Sequence, residues 1–423
     1  MIYYYRYSNK LLFSKYKIKK LVTIKNDDPV VHQEKFLYYL DRQEWGKVSP
    51  KSVLIHPGQL KGQEDISILK NTYGDNDDFD CLPGWIKKKI KDREIGFINY
   101  NHPGWKKILK WEKPARWKVN IIGLGNVGGT LLTALRLIGS EKITEIGIFD
   151  TNEQALSRWE QEVNQIVDSS SKIDMPNVKI IKENKIFEAD MVIFCISIGV
   201  PPPGQKIKDV RMMQFTANSG IINIYAQQAR KLGYNGIFAV VSDPVDLLCQ
   251  SAFLTSNRNE KGILDGEGLS PDQIRGFGLG VMHGRAVYYA NKNKKARLYL
   301  EKGRVFGPHG KGLVIADNME DYNHQQSIVL SKKVLQANIA IRRTGFKPYI
   351  APALSSGALS VLALISGDWH YSAAFLGGIF WGAKNRQTSL GLEWEQNSIS
   401  TDLFERINNS YQYLKKLAQN LEK

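Results

Sequence analysis

Three glycines and one carboxylate stand at spacings suited to phosphate and ribose chemistry. Val119-Asn120-Ile121-Ile122 runs into Gly123-Leu124-Gly125-Asn126-Val127-Gly128, and Asp150 closes the next apolar run, Ile146-Gly147-Ile148-Phe149. Gly123 permits a tight turn, Gly125 lets the backbone approach a pyrophosphate, and Gly128 lets a helix pack close to the strand. The helix start at Asn126 and Val127 offers unpaired N–H groups and a positive dipole end to anionic phosphates. Asp150 lies 22 residues beyond Gly128. A carboxylate there accepts hydrogen bonds from a ribose diol and repels a 2′-phosphate, so the expected cofactor is NAD rather than NADP. Glycine turns also serve ordinary packing; the strand before, the apolar helix Leu131-Leu132-Ala134-Leu135-Leu137 after, and the acid at this distance together favour the cofactor reading.

Such a corner needs a sheet to carry it. From Lys118 onward strands and helices alternate: strands at 119–122, 145–149, 178–181, 191–197 and 237–241, with helices near 127–138, after a cap at Thr151 or Asn152, and from Arg211 to Leu232. This spacing predicts an α/β fold built on a Rossmann-type doubly wound parallel sheet over residues 118–277. Beyond residue 278 the pattern loosens into long helices (322–343, 352–365, 401–422) and short strand pairs near 297–306 and 371–380, which predicts a mixed α+β substrate domain over 278–423. Residues 1–117 carry Gly/Pro/Asp punctuation, no repeat and no motif with attachable chemistry, but Trp85, Trp105, Trp111 and Trp117 argue that they fold or dock. They read as an N-terminal extension domain of unknown role, or a cap packed on the dinucleotide fold.

The chain has 423 residues, 43% of them apolar and 24% charged, enough for two or three domains. No apolar run reaches the roughly 20 residues a membrane helix needs, and no secretory leader is evident, so the expected residence is cytoplasmic. Cys81, Cys195 and Cys249 show no paired spacing and read as buried reduced thiols; the seven histidines show no metal-ligand spacing. The formal charge is +16, and residues 1–117 hold 23 Lys+Arg against 14 Asp+Glu, so 9 of the excess lie there and 7 in the rest. Lys15-Tyr16-Lys17-Ile18-Lys19-Lys20 and Lys87-Lys88-Lys89-Ile90-Lys91 would suit a phosphate backbone, but a solvated face is the simpler reading and nucleic acid is not the expected partner.

The ordered set of segments from residue 118 onward resembles the L-lactate/malate dehydrogenase family. After the glycine loop come Ser197-Ile198-Gly199-Val200-Pro201, Arg211 followed by Asn218, Val240-Val241-Ser242-Asp243-Pro244-Val245-Asp246, Gly276 to Arg285, Gly307-Pro308-His309-Gly310, and Tyr349-Ile350-Ala351-Pro352-Ala353. The resemblance implies hydride transfer between NAD and a 2-hydroxy/2-oxo acid or related alcohol. It implies His309 as general acid/base, Arg211 as a carbonyl-polarising group on a closing loop, and Arg285 as a bidentate clamp on the substrate carboxylate. Ser197, Gly199 and Asn218 fall with Gly123, Gly125, Asn126, Val127, Gly128 and Asp150 among its cofactor contacts. Dimers or tetramers are implied too. Without that pattern, a histidine between glycines could simply cap a turn, and an arginine early in a helix could pair with a surface acid.

Departures bear on the chemistry. Where the family has an aspartate supporting the imidazolium, three residues before Arg285, stands Met282, and His283 beside it cannot supply negative charge. The family's Ser-Asn-Pro asparagine is Asp243, which could restore a carboxylate near the substrate or repel an anionic one. Nine residues separate Pro201 from Arg211, a longer loop than the family's, so Pro202, Lys206 and Lys208 do not report the substrate; another insertion runs from Thr255 to Gly266. Two readings stand: an NAD-dependent dehydrogenase of a small carboxylate, or a non-catalytic or repurposed NAD-binding homologue acting as sensor or partner-binding protein.

Overall fold

A computed structural model describes residues 2–26, 28–71, 79, 81–170, 172–198 and 210–422. Among them, six parallel strands form the centre: β7 (Trp117–Ile122), β8 (Ile143–Phe149), β9 (Asn177–Ile180), β10 (Met191–Phe194), β11 (Ile237–Val240) and β12 (Ile274–Gly276). They lie in the order β9-β8-β7-β10-β11-β12. This is the doubly wound Rossmann order, which reverses between β7 and β10 and opens a crevice at their carboxyl ends. Ile121, Ile146, Ile148 and Ile193 are buried on one face and Ile122, Val192 and Phe194 on the other, as expected of strands covered on both faces. The helix after β8 spans Glu153–Asn164, and Asn152 caps it by accepting from the N–H of Ala155.

The sheet continues past β12. Antiparallel β15 (His370–Leu376), β16 (Ile379–Thr388) and β17 (Gly391–Trp394) come next, then the strands of the N-terminal segment. These are β1 (Tyr3–Tyr7), β2 (Lys10–Ser14), β3 (Thr23–Ile24), β4 (Leu37–Asp41), β5 (Lys51–Val53) and β6 (Ile95–Asn99), joined through β5 to β17 at Ser52 and Leu392. The N-terminal segment has an apolar core of its own around Phe13, Tyr39, Ile86 and Phe97, yet Tyr5, Leu40, Val53 and Ile55 belong to a larger core shared with Phe194, Phe238, Phe375 and Trp381.

A separate hairpin, β13 (Arg304–Phe306) and β14 (Val314–Ala316), carries the loop with His309. The strand pair expected near 297–306 is thus only half present. Asn293 accepts from the N–H of Lys295, a short helix forms at Tyr299–Lys302, and extended backbone begins only at Arg304. The helix expected at 352–365 opens as a π-turn over Pro352–Ala358 before continuing as Leu359–Ser366. Cys195 and Cys249 are buried, but Cys81 is exposed, unlike the expectation from spacing alone. Among the described residues no helix is long and apolar enough to cross a membrane, and no cluster of three or more His, Cys, Asp or Glu is placed for a metal.

Candidate functional site

The glycine turn sits at the carboxyl end of β7. Gly123 has φ +91°, a conformation that strains other residues. A Cβ on Gly128 would lie 1.9 Å from the Gly123 carbonyl oxygen, so only glycine allows the helix Asn126–Ile138 to start this close to the strand. A Cβ on Gly125 would meet nothing within 4 Å: the space above this exposed residue is open. No side chain caps the N-terminus of the helix at Asn126 and Val127, which leaves its first N–H groups available to an anion. Asp150, at the end of β8, accepts from the N–H of Leu124 (2.7 Å) and of Asn152 (3.0 Å), which fixes the carboxylate beside the turn. Each of its oxygens keeps a second lone pair for a ribose hydroxyl. Trp159 closes the far side by donating to the carbonyl of Leu124 (3.0 Å). The cradle fits a dinucleotide.

Ser197 and Ile198, exposed after β10, border the crevice, whereas Gly199 lies outside the described residues. Asn218 is 1% exposed, and both ends of its amide are engaged: Oδ1 accepts from the N–H of Ile198 (2.8 Å) and Nδ2 donates to the carbonyl of Asp243 (2.7 Å). Its side chain therefore ties the loops after β10 and β11 together. Ser242 reinforces the tie by donating to the carbonyl of Ile196 (2.6 Å).

The loop after β11 carries Asp243, the first turn of the next helix, Val245–Asn257, carries Asp246, and both reach His309. The His309 Nδ1 stands 2.8 Å from Asp243 Oδ1, and the backbone N–H of His309 points to Asp246 Oδ2 at 3.3 Å. Gly278 makes room for the ring, since a Cβ there would be 3.0 Å from His309 Cβ and Cγ. With Asp243 ionised, Nδ1 must be the donor, and Nε2 is left with no protein partner among the described residues. Burial opposes ionisation of Asp243, but its interaction with His309, then the charges of Arg211 and Arg285, outweigh it and hold the carboxyl below the usual range. Nearly half of that side chain (48%) is nevertheless open, against 16% for His309, so the pair is reachable from solvent.

Arg211, in the first turn of the helix Val210–Lys231, binds Asp246 at 3.0 Å and the carbonyl of Lys311 at 3.4 Å. Burial pushes the Asp246 carboxyl up, with Arg211 and His309 opposing. The Lys311 ammonium itself lies over the Tyr413 ring. Arg285, on the helix Leu279–Asn291, is half-buried; its one hydrogen bond among the described residues is to the Met282 sulfur at 3.6 Å, and its charge also acts on Asp243. A thioether is a weak acceptor, so the planar donor fork retains nearly all its capacity for a carboxylate. Asp243, Asp246, Arg211 and Arg285 balance in formal charge; a protonated imidazole adds one positive charge, which suits one carboxylate anion. Sequence reasoning passed over Asp246. Its signal was an acid three residues after Asp243 in the first turn of the helix Val245–Asn257.

A parallel sheet in this order, with a glycine cradle and an acid at the switch point, defines a dinucleotide-binding α/β protein. Residues 117–265 match the family described as lactate/malate dehydrogenase, NAD binding domain. The chain is 31% identical over 201 residues to L-lactate dehydrogenase of Shouchella clausii, covering 47% of this chain and 55% of that one. It is 26% identical over 200 residues to L-lactate dehydrogenase of Mesomycoplasma hyopneumoniae (47% and 57%). With malate dehydrogenase of Cytophaga hutchinsonii it shares 28% identity over 186 residues (38% and 55%). The chain thus spans a little over half the length of these curated relatives. In overall fold it is similar to a minor L-lactate dehydrogenase from Enterococcus mundtii (TM-score 0.57, 20% identity, 73% of this chain and 99% of that one). The apo malate dehydrogenase of Picrophilus torridus is comparable (TM-score 0.56, 18% identity, 73% and 98%). The chain thus resembles the lactate/malate dehydrogenases across its NAD-binding domain, residues 117–265, and NAD is its cofactor.

Proposed function

We propose that the protein is an NAD(H)-dependent dehydrogenase that interconverts a 2-oxo acid and its 2-hydroxy acid. The observation that carries this reading is a histidine with an unengaged Nε2 and, acting on the same Asp243, an arginine with an almost unengaged guanidinium. Bound NADH supplies the hydride equivalent that the substrate C2 accepts. Arg285 holds the substrate carboxylate through two parallel N–H···O bonds and so presents C2 in one orientation. His309 Nε2–H gives its proton to the carbonyl oxygen as that oxygen becomes a hydroxyl; in the reverse direction Nε2 takes the proton back. Arg211 contributes positive potential beside the carbonyl, moderated by its ion pair with Asp246. Asp150 favours NAD by opposing a 2′-phosphate. Self-association into a dimer or tetramer belongs to the same reading and is checked by light scattering.

The test is NADH oxidation by the purified chain across 2-oxo acids, from pyruvate and oxaloacetate to bulky and cationic ones. Turnover of one of them, abolished in His309→Asn, is the expected result. NADH binding without turnover of any would replace this reading by the second one, a repurposed NAD-binding homologue.

A further inference from the structure

We propose that Asp243 is the positioning residue of the acid/base histidine, doing from the loop after β11 what Met282 cannot do from the helix Leu279–Asn291. This rests on the reading of His309 as the acid/base. Position 282 is 4% exposed and packs in an apolar cluster with Leu279, Val305, Leu313 and Tyr371, its sulfur turned to Arg285. A thioether carries no charge with which to support an imidazolium. Asp243 does, with its Oδ1 2.8 Å from His309 Nδ1.

The backbone that carries Asp243 is also held. Asn218 grips the Asp243 carbonyl and, through Ile198, the neighbouring loop, while Ser242 ties the same turn to Ile196. The histidine is held in turn by Asp246 at its backbone, and Gly278 leaves room for its ring. Two anchored groups meeting at hydrogen-bond distance fix both the ring orientation and the tautomer: Nδ1–H toward Asp243, Nε2 unengaged. Action on the substrate itself is the poorer account. An anion would repel the substrate carboxylate that Arg285 attracts, and one oxygen of Asp243 is already taken by His309. The carboxylate thus acts through the imidazole, from a strand-end loop 39 residues earlier in the chain than position 282.

Two readouts test this on the full chain. In histidine-¹⁵N-labelled protein, with the His309 signals identified by their loss in His309→Asn, the wild type shows a neutral ring protonated at Nδ1. Asp243→Ala moves that ring toward the Nε2–H form; an unchanged Nδ1–H pattern overturns the proposal. In steady-state kinetics, Asp243→Asn lowers kcat by about 10²–10⁴-fold, the range for a lost orienting carboxylate or a lost acid/base. The Kd for NADH stays unchanged, and Asp243→Glu recovers part of kcat. A kcat for Asp243→Asn within threefold of wild type overturns the proposal as well. If the wild type turns over no 2-oxo acid while the ¹⁵N pattern still depends on Asp243, the positioning role stands and the dehydrogenase reading falls.

Discussion

Alanine at Gly125 and alanine at Gly128 place the same methyl group in two opposite environments three residues apart. At Gly128 the new Cβ would sit 1.9 Å from the Gly123 carbonyl, about 1.5 Å short of the 3.4 Å at which ordinary contact begins, and 3.0 Å from the Gly123 carbonyl carbon. The obstacle is backbone, so the helix and the turn must part. Overpacking of this kind costs about 1–3 kcal/mol or more. For a domain of this size that lowers Tm by roughly 2–12 °C. At Gly125 the methyl meets no atom, and the backbone there (φ −66°, ψ −167°) is extended and open to alanine. Stability should move by less than about 0.5 kcal/mol. What the methyl takes up is the space through which a phosphate reaches the helix N-terminus. Loss of one charge-assisted hydrogen bond costs about 1.5–3 kcal/mol, or roughly 10–150-fold in Kd. Thermal unfolding without cofactor and NADH fluorescence titration separate the two effects. Gly128→Ala should lose Tm, and Gly125→Ala should lose affinity at an unchanged Tm. A Gly125→Ala protein that binds NADH as the wild type does would refute the assignment of this turn as the phosphate cradle.

Arg285→Lys keeps the charge but replaces a planar fork by a point charge, so KM for the 2-oxo acid should rise about tenfold or more with NADH affinity intact, as measured by steady-state kinetics. His309→Asn should lower kcat by about 10²–10⁴-fold and leave the Kd for NADH unchanged in the same fluorescence titration. Glu64 is buried against Ser49, and burial pushes its carboxyl up from an ordinary 4.5 to about 7 despite the hydrogen bonds it accepts. The native state therefore binds this proton more tightly than the unfolded state. Its contribution to stability should be full below about pH 4.5, fall as pH rises toward 7 by about 2–4 kcal/mol, and stay flat above. Urea midpoints measured across this range should show that slope in the wild type and a shallower one in Glu64→Gln.

The Rossmann half was legible because each of its signals is local. A glycine turn, an apolar run and a capping Asn152 each announce themselves within a few residues, and right-handed crossovers leave little freedom in joining them. The N-terminal segment was harder. That it folds could be read from its tryptophans, but the pairing of Ser52 with Leu392 brings together residues 340 apart, and no local pattern reports such a register. Residues 297–302 misled because the apolar run Leu298-Tyr299-Leu300 fits a strand as readily as the short helix Tyr299–Lys302, which no side chain caps. The site divides the same way. His309, Arg285 and the replacement of the family's asparagine by Asp243 were visible as residue types in order. The contact between Asp243 and His309 crosses 66 positions, and it needed the fold to appear.

The edge-to-edge joint between β5 and β17 has a practical consequence for anyone who cuts this chain. β17 is buried along its whole length, and its outer side is covered by the N-terminal strands. A fragment starting at residue 118 would expose the unpaired N–H and C=O groups of that strand. It would also uncover the apolar faces of Phe375 and Trp381 now sharing a core with Val53 and Ile55. An open, hydrophobic strand edge is a template for self-pairing between chains. Trimming to the boundary suggested by the dehydrogenase-like residues would therefore yield an aggregating product, not a minimal enzyme, and the N-terminal strands act as an intramolecular guard on the sheet that holds the nucleotide cradle.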